Sequence, residues 1–170
     1  MGFEQIIFWL LAIGTIVASA LVVLPPGGRN PLYGALLLII SFFFIAGIYV
    51  MLFAHTMAIL QILVYAGAIM VLFTFVIMLL NLSKKELGDE TKTVAKGIGV
   101  VAVVALGTKL VVMLESQAIN IQQQPLPAGF GGVDGIADLM FHNYLVPFEL
   151  TGILLLVAVI GAVVLAKRTL

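Results

Sequence analysis

The chain has 170 residues, with eight Lys or Arg against eight Asp or Glu, so its formal net charge is zero, and 63% of it is hydrophobic. Charged residues make up 9% of the chain where soluble domains carry about 25%, and the mean hydropathy is +1.26, so lipid or protein neighbours must cover apolar surface that a chain this short cannot bury in itself. The neutral balance excludes nucleic acid as a partner, which needs clustered Lys and Arg, and the absence of cysteine excludes disulfides, Fe–S ligation and cysteine zinc sites.

A membrane-spanning helix needs about 20 mostly apolar residues. Five segments qualify, at about 5–24, 31–53, 57–82, 94–114 and 147–166, which predicts an all-α integral membrane protein forming a single membrane domain over residues 1–170. The first span does not read as a secretory signal, because Met1–Gln5 carries no positive charge, and Ile6 stands where myristoylation after Gly2 needs Ser or Thr. Its Gly14 and Ala18 predict a close helix crossing, as Ala158 and Ala162 do in the fifth span. Pro25-Pro-Gly-Gly-Arg-Asn-Pro31 is a turn cluster that leaves Pro31 to open the second helix. The next break is as short as Ala54-His55-Thr56, which makes the second and third spans a tight hairpin. A charged connection, Ser83 to Lys92, precedes the fourth span. A long loop from Glu115 to Val146, free of Lys and Arg, precedes the fifth. Within it, Asp134–His142 predicts a short interfacial helix with Asp134 as N-cap and Ile136, Leu139, Met140 and Phe141 turned to lipid or protein. No tandem repeat is visible.

Lys and Arg near spans stay on the cytoplasmic side. Arg29, Lys84, Lys85, Lys92, Lys96, Lys167 and Arg168, seven of the eight basic residues, share one side if the N-terminus is outside and the C-terminus cytoplasmic. The loop between the fourth and fifth spans is then an outer loop.

The third span places a hydroxyl and a glycine in the middle of an apolar run, Ile59–Leu80, that has no carboxylate, histidine or lysine. Gln61 and Tyr65, four apart, are expected to share a helix face and hydrogen-bond to other helices. Gly67, between Ala66 and Ala68, marks either a close crossing or an irregular winding such as a π-bulge at Tyr65–Gly67. Lys109 lies five residues before the outer end of the fourth span, about 7.5 Å at helical rise, within reach of snorkelling to the interface. Glu149 is the third residue of the fifth helix if Pro147 is the first, where the helix dipole favours a carboxylate; the alternative is a proton-accessible group or a contact with a partner chain. His55 and His142 stand alone. Phosphate loops, nucleophile constellations and paired carboxylates are missing, so the chain by itself offers no catalytic residue and no cofactor or metal site.

The segment Leu63-Val-Tyr-Ala-Gly-Ala-Ile-Met-Val-Leu-Phe-Thr-Phe-Val-Ile-Met-Leu-Leu-Asn81 closely resembles the third helix of subunit J, the chain-6 family, of proton-pumping NADH:quinone oxidoreductase (respiratory complex I). The resemblance takes in Asn30-Pro31, Pro147-Phe-Glu149-Leu and Leu154 to Arg168, and so covers essentially the whole chain. It implies a non-redox core subunit of the membrane arm, enzymatic as part of the complex, in the bacterial inner membrane. Its neighbours would be the chains lettered A, H, K and N, and NADH, FMN, Fe–S clusters and quinone would sit on partner subunits. It also implies a π-bulge around Tyr65, Ala66 and Gly67 in a helix that relaxes to regular α-helix between states, making or breaking a water path. Val71 matches a gating position, and Met70, Phe73 and Phe75 would plug or vacate the gap.

Two other classes fit less well. A homologous membrane subunit of an energy-converting hydrogenase or multisubunit cation/proton antiporter shares the architecture. A free-standing transporter would need polar groups converging at mid-membrane, and Gln61 with Tyr65 is thin provision.

Overall fold

The computed structural model describes residues 2–23, 30–80, 93–127 except 117–124, and 129–167. Five helices are long and apolar enough to cross a membrane. They are α1 (Phe3–Val23), α2 (Pro31–Met51), α3 (His55–Leu80), α4 (Thr93–Ser116) and α6 (Leu145–Ala166), and the short α5 (Val133–His142) precedes α6. The basic connections that predict orientation lie largely outside the described residues.

The beginning of α2 follows from local chemistry. Asn30 is the N-cap, its side-chain oxygen accepting from Leu32 N–H at 3.1 Å, and Pro31 occupies the first turn, where a missing N–H costs nothing. The end of α2 is less expected. Phe53 N–H donates to Val50 O at 3.0 Å and Ala54 N–H to Tyr49 O at 2.9 Å, the two bonds of a Schellman turn. The left-handed position, usually glycine, is filled by Phe53 at φ 58. The break therefore falls at Leu52–Ala54, and His55 and Thr56, expected in the turn, belong to α3.

Among the described residues, packing of one span on another is confined to the first three. α1 crosses α2 where small residues admit large ones. The place of a Cβ on Gly14 is taken by the Phe44 ring, 2.9 Å away, and that of Gly47 by Leu11, 3.0 Å away. Ala18 is buried in the same contact, which agrees with the Gly14/Ala18 crossing, and Ala35 and Ala46 of α2 are buried as well. One polar link runs through it, Ser19 Oγ to Ser41 Oγ at 2.9 Å, with Ser41 almost wholly buried. In lipid, where helices gain little from apolar burial, close approach and such hydrogen bonds hold them together.

The remaining spans bury nothing of their own. No residue of the Gly97–Leu114 window or of Leu145–Ala166 is buried. Ala158 and Ala162, expected at a crossing, are exposed, so any partner for that face lies beyond the described residues of this chain. α6 packs on α5 through the Phe141 and Phe148 rings, 5.1 Å apart and edge to face. α5 forms where expected, but its N-cap is Gly132 with no side-chain bond, and Asp134 sits inside the first turn instead. The loop ahead of α5 touches the α2–α3 turn, Thr56 N–H donating to Gly131 O at 2.9 Å. That places the second turn and the long loop on one side of the bundle, as five alternating spans require.

Candidate functional site: the π-helical segment of α3

α3 is not one uniform helix. His55–Leu60 and Met70–Leu80 are α-helical, and the nine residues Gln61–Ile69 between them wind as a π-helix. Met70 N–H donates to Tyr65 O, five residues back. The segment includes Tyr65–Gly67 and extends well beyond a single-turn bulge. π-winding is rare because its wider turn loses axial contact, and it is found mostly at functional positions.

The sequence explains why this segment accepts it. A Cβ at Gly67 would lie 3.2 Å from the Ile62 carbonyl, the acceptor that an i→i+5 ladder places opposite Gly67's own N–H. Gly67 thus serves close backbone approach within its own helix, and no neighbouring helix comes near the position of that missing atom. The winding also changes which residues face inward. α-Helical spacing predicts that Gln61 and Tyr65 share a face, but the wider turn puts Ala66 beneath Gln61. Gln61, Ala66 and Met70 are buried, whereas Tyr65 is 49% exposed and rests edge-on against Phe42 of α2, ring centroids 5.8 Å apart. Val71, Phe73 and Phe75 are at least half exposed, a bulky apolar surface on the cytoplasmic half of the helix in the predicted orientation.

One polar group in this half was not singled out by the sequence. The Thr74 hydroxyl oxygen is buried with no hydrogen-bond partner among the described residues, while Thr15, Thr108 and Thr151 bond back to their own helices at 2.7–2.9 Å. Its position between Phe73 and Phe75 was the available signal.

The remaining candidates lie elsewhere. α6 begins at Leu145, so Glu149 is its fifth residue and not its third, beyond the free N–H groups that would make it a helix-start device. It is exposed on a helix that packs on α5 and is not gathered with Gln61 or Tyr65. Lys109 is exposed on α4, seven residues before Ser116. A snorkelling lysine predicts that Lys109→Met accumulates in membranes to within about twofold of the parent; immunoblots of washed membranes check this, and a several-fold loss would give the charge a structural part. His142 Nδ1 lies 3.0 Å from Asp138 Oδ1 in the exposed α5. Among the described residues, no three His, Asp or Glu side chains converge as metal ligands do.

Relatives match this chain along almost its whole length. The family model for NADH-ubiquinone/plastoquinone oxidoreductase chain 6 matches residues 18–165. NADH-quinone oxidoreductase subunit J of Rhodobacter capsulatus is 36% identical over 95% of this chain and 80% of its own length. NAD(P)H-quinone oxidoreductase subunit 6 of the Paulinella chromatophora chromatophore is 39% identical over 98% and 80%. F(420)H(2) dehydrogenase subunit J of Methanosarcina mazei is 31% identical over 96% and 91%. With five spanning helices and this agreement from end to end, the chain belongs to the NADH-ubiquinone/plastoquinone oxidoreductase chain 6 family, the membrane subunits of complex I.

Proposed function

We propose that this chain is the subunit-J component of a proton-translocating NADH:quinone oxidoreductase in a bacterial inner membrane, N-terminus outside, and that α3 gates a water path by changing its winding. The observation that carries this reading is a nine-residue π-helix in a span without charge. Each residue absorbed as the segment rewinds to α-helix rotates one half of α3 relative to the other by about 100°. That motion swings Val71, Phe73 and Phe75 into or out of a gap formed with a neighbouring chain. Apolar constrictions gate by dewetting, which needs bulk and movement and no ionisable group. The chain therefore supplies the moving wall. Its membrane-arm neighbours are chains of the A, H, K and N types, proton carriers, FMN, Fe–S clusters and quinone belong to partner subunits, and Tyr65, Ala66, Gly67, Met70 and Val71 form the coupling segment.

The assembly is tested on detergent-solubilised native membranes. The chain is expected to co-migrate on a blue-native gel with NADH-oxidising activity, and migration as a small free species would refute the reading. The relative named as a subunit of an F(420)H(2) dehydrogenase favours a second electron donor on the same membrane arm. The donor that reduces the co-migrating band decides between them.

A further inference from the structure

The start of α3 has no side-chain cap, Ala54 being its N-cap residue. The first N–H groups of a helix have no acceptor within it, and here Thr56 N–H is satisfied by the Gly131 carbonyl from the loop ahead of α5. That loop is shaped for the contact. Gly129 and Gly131 take φ of 80 and 70, values that glycine adopts without steric cost. Phe130 N–H and Gly132 N–H close the turn onto Pro127 O and Gly129 O at 3.1 and 3.0 Å. A Cβ on Gly131 would run into the Phe53 carbonyl and crowd Ala54 Cα. The contact thus also braces Phe53, whose left-handed conformation persists only where the surroundings hold it. Little else joins the two parts, since a cavity of about 480 Å³ lined by Met57, Phe130, Ile136 and Leu139 opens beside the contact.

We propose that this loop is a clasp fixing the outer end of α3, with Gly131 as its positioning residue, so that a change of winding in Gln61–Ile69 turns the Met70–Leu80 half. A helix with two windings between its ends rotates whichever half is held less. The outer half is held by the Schellman turn, the Thr56–Gly131 bond and the seat of Gly131 on the Phe53–Ala54 peptide. The inner half presents Val71, Leu72, Phe73, Leu79 and Leu80 at 50–65% exposure. The clasp is the anchor against which the gate moves, and this inference rests on the gating reading above.

The test uses the assembled complex in vesicles carrying Gly131→Ala, and reads hydrogen exchange over residues 55–69, proton uptake per NADH and NADH oxidation by an artificial acceptor. Loss of one backbone hydrogen bond is expected to raise exchange at Thr56 and Ala58 about five- to tenfold. Uptake per NADH should fall by more than half while electron entry is unchanged. Thr56→Pro, which removes the donor at a first-turn position that proline tolerates, should raise exchange at Ala58 and lower uptake likewise, and decides the matter if Gly131→Ala fails to assemble. Parental exchange in an assembled variant overturns the clasp. Faster exchange with parental proton uptake supports the clasp and overturns the gate instead.

Discussion

Gly67→Val is expected to remove most proton uptake per NADH and to slow quinone-linked turnover, while NADH oxidation by artificial acceptors stays at the parental rate. The new Cβ arrives 3.2 Å from the Ile62 carbonyl, which must retreat by a few tenths of an ångström and stretch its π-type hydrogen bond. Overpacking of this kind costs about 1–3 kcal/mol. Replacing a helix-interior glycine by valine favours regular winding by a further few tenths of a kcal/mol, roughly, since β-branching offsets part of the gain alanine would give. Both effects oppose the π state, so the variant should populate an α-helical Gln61–Ile69 by a factor of tens or more. A map of the variant complex would show the change directly. Gly67→Ala carries the same first atom without the β-branch and should give a milder defect of the same kind. An assembled Gly67→Val complex that pumps at the parental stoichiometry removes the gate from consideration, because among the described residues the first added atom meets only the Ile62 carbonyl of its own helix.

Gly14→Val should act on assembly and leave the chemistry of whatever complex does form intact. The Cβ would lie 2.9 Å from two carbons of the Phe44 ring, and the branched side chain has no room beside Ala18 and Ser19, whose hydroxyl must stay 2.9 Å from that of Ser41. Separating the helices would strand the Ser41 hydroxyl in an apolar setting, which costs about 1–3 kcal/mol beyond the steric term. The expected result is several-fold less assembled complex, with normal turnover per assembled unit. Phe44→Ala in the same chain vacates the space and should restore much of the yield, since neighbouring substitutions couple non-additively. A double variant no better than Gly14→Val alone would show that the crossing is not what limits assembly. The two experiments differ in kind: one spoils a working machine, the other reduces how many are built.

Span number and approximate extent were legible because apolar length is a coarse signal that local chemistry cannot disguise. Asn30-Pro31 and Gly14/Ala18 were legible for a different reason: a cap and a close crossing depend on residues within a turn or two. The misplaced details share a cause too. Phe53 occupies a position that usually announces itself with glycine, so the end of α2 carried no marker. Asp134 and Pro147 looked like helix starts by type, yet each helix begins upstream of them, at Val133 and Leu145. Tyr65 was assigned to the face of Gln61 because period 3.6 was assumed, and a π-helix moves that partner to Ala66. Residues alone mark Gly67 as unusual, but whether it serves a crossing or a widened turn depends on what lies across from it. Here that is its own Ile62 carbonyl. Nothing local marks the loop glycines 129 and 131, since their contact is with a turn distant in sequence.

The bareness of α4 and α6 bears on biogenesis. A chain whose last two long helices bury no residue among those described does not complete its folding at the moment of insertion; it waits in the bilayer for neighbours. Copies made in excess of those neighbours are orphans with unshielded faces, open to membrane proteases. Cellular abundance of this polypeptide is thereby set by the scarcest of its companions, whatever the rate at which its own message is translated.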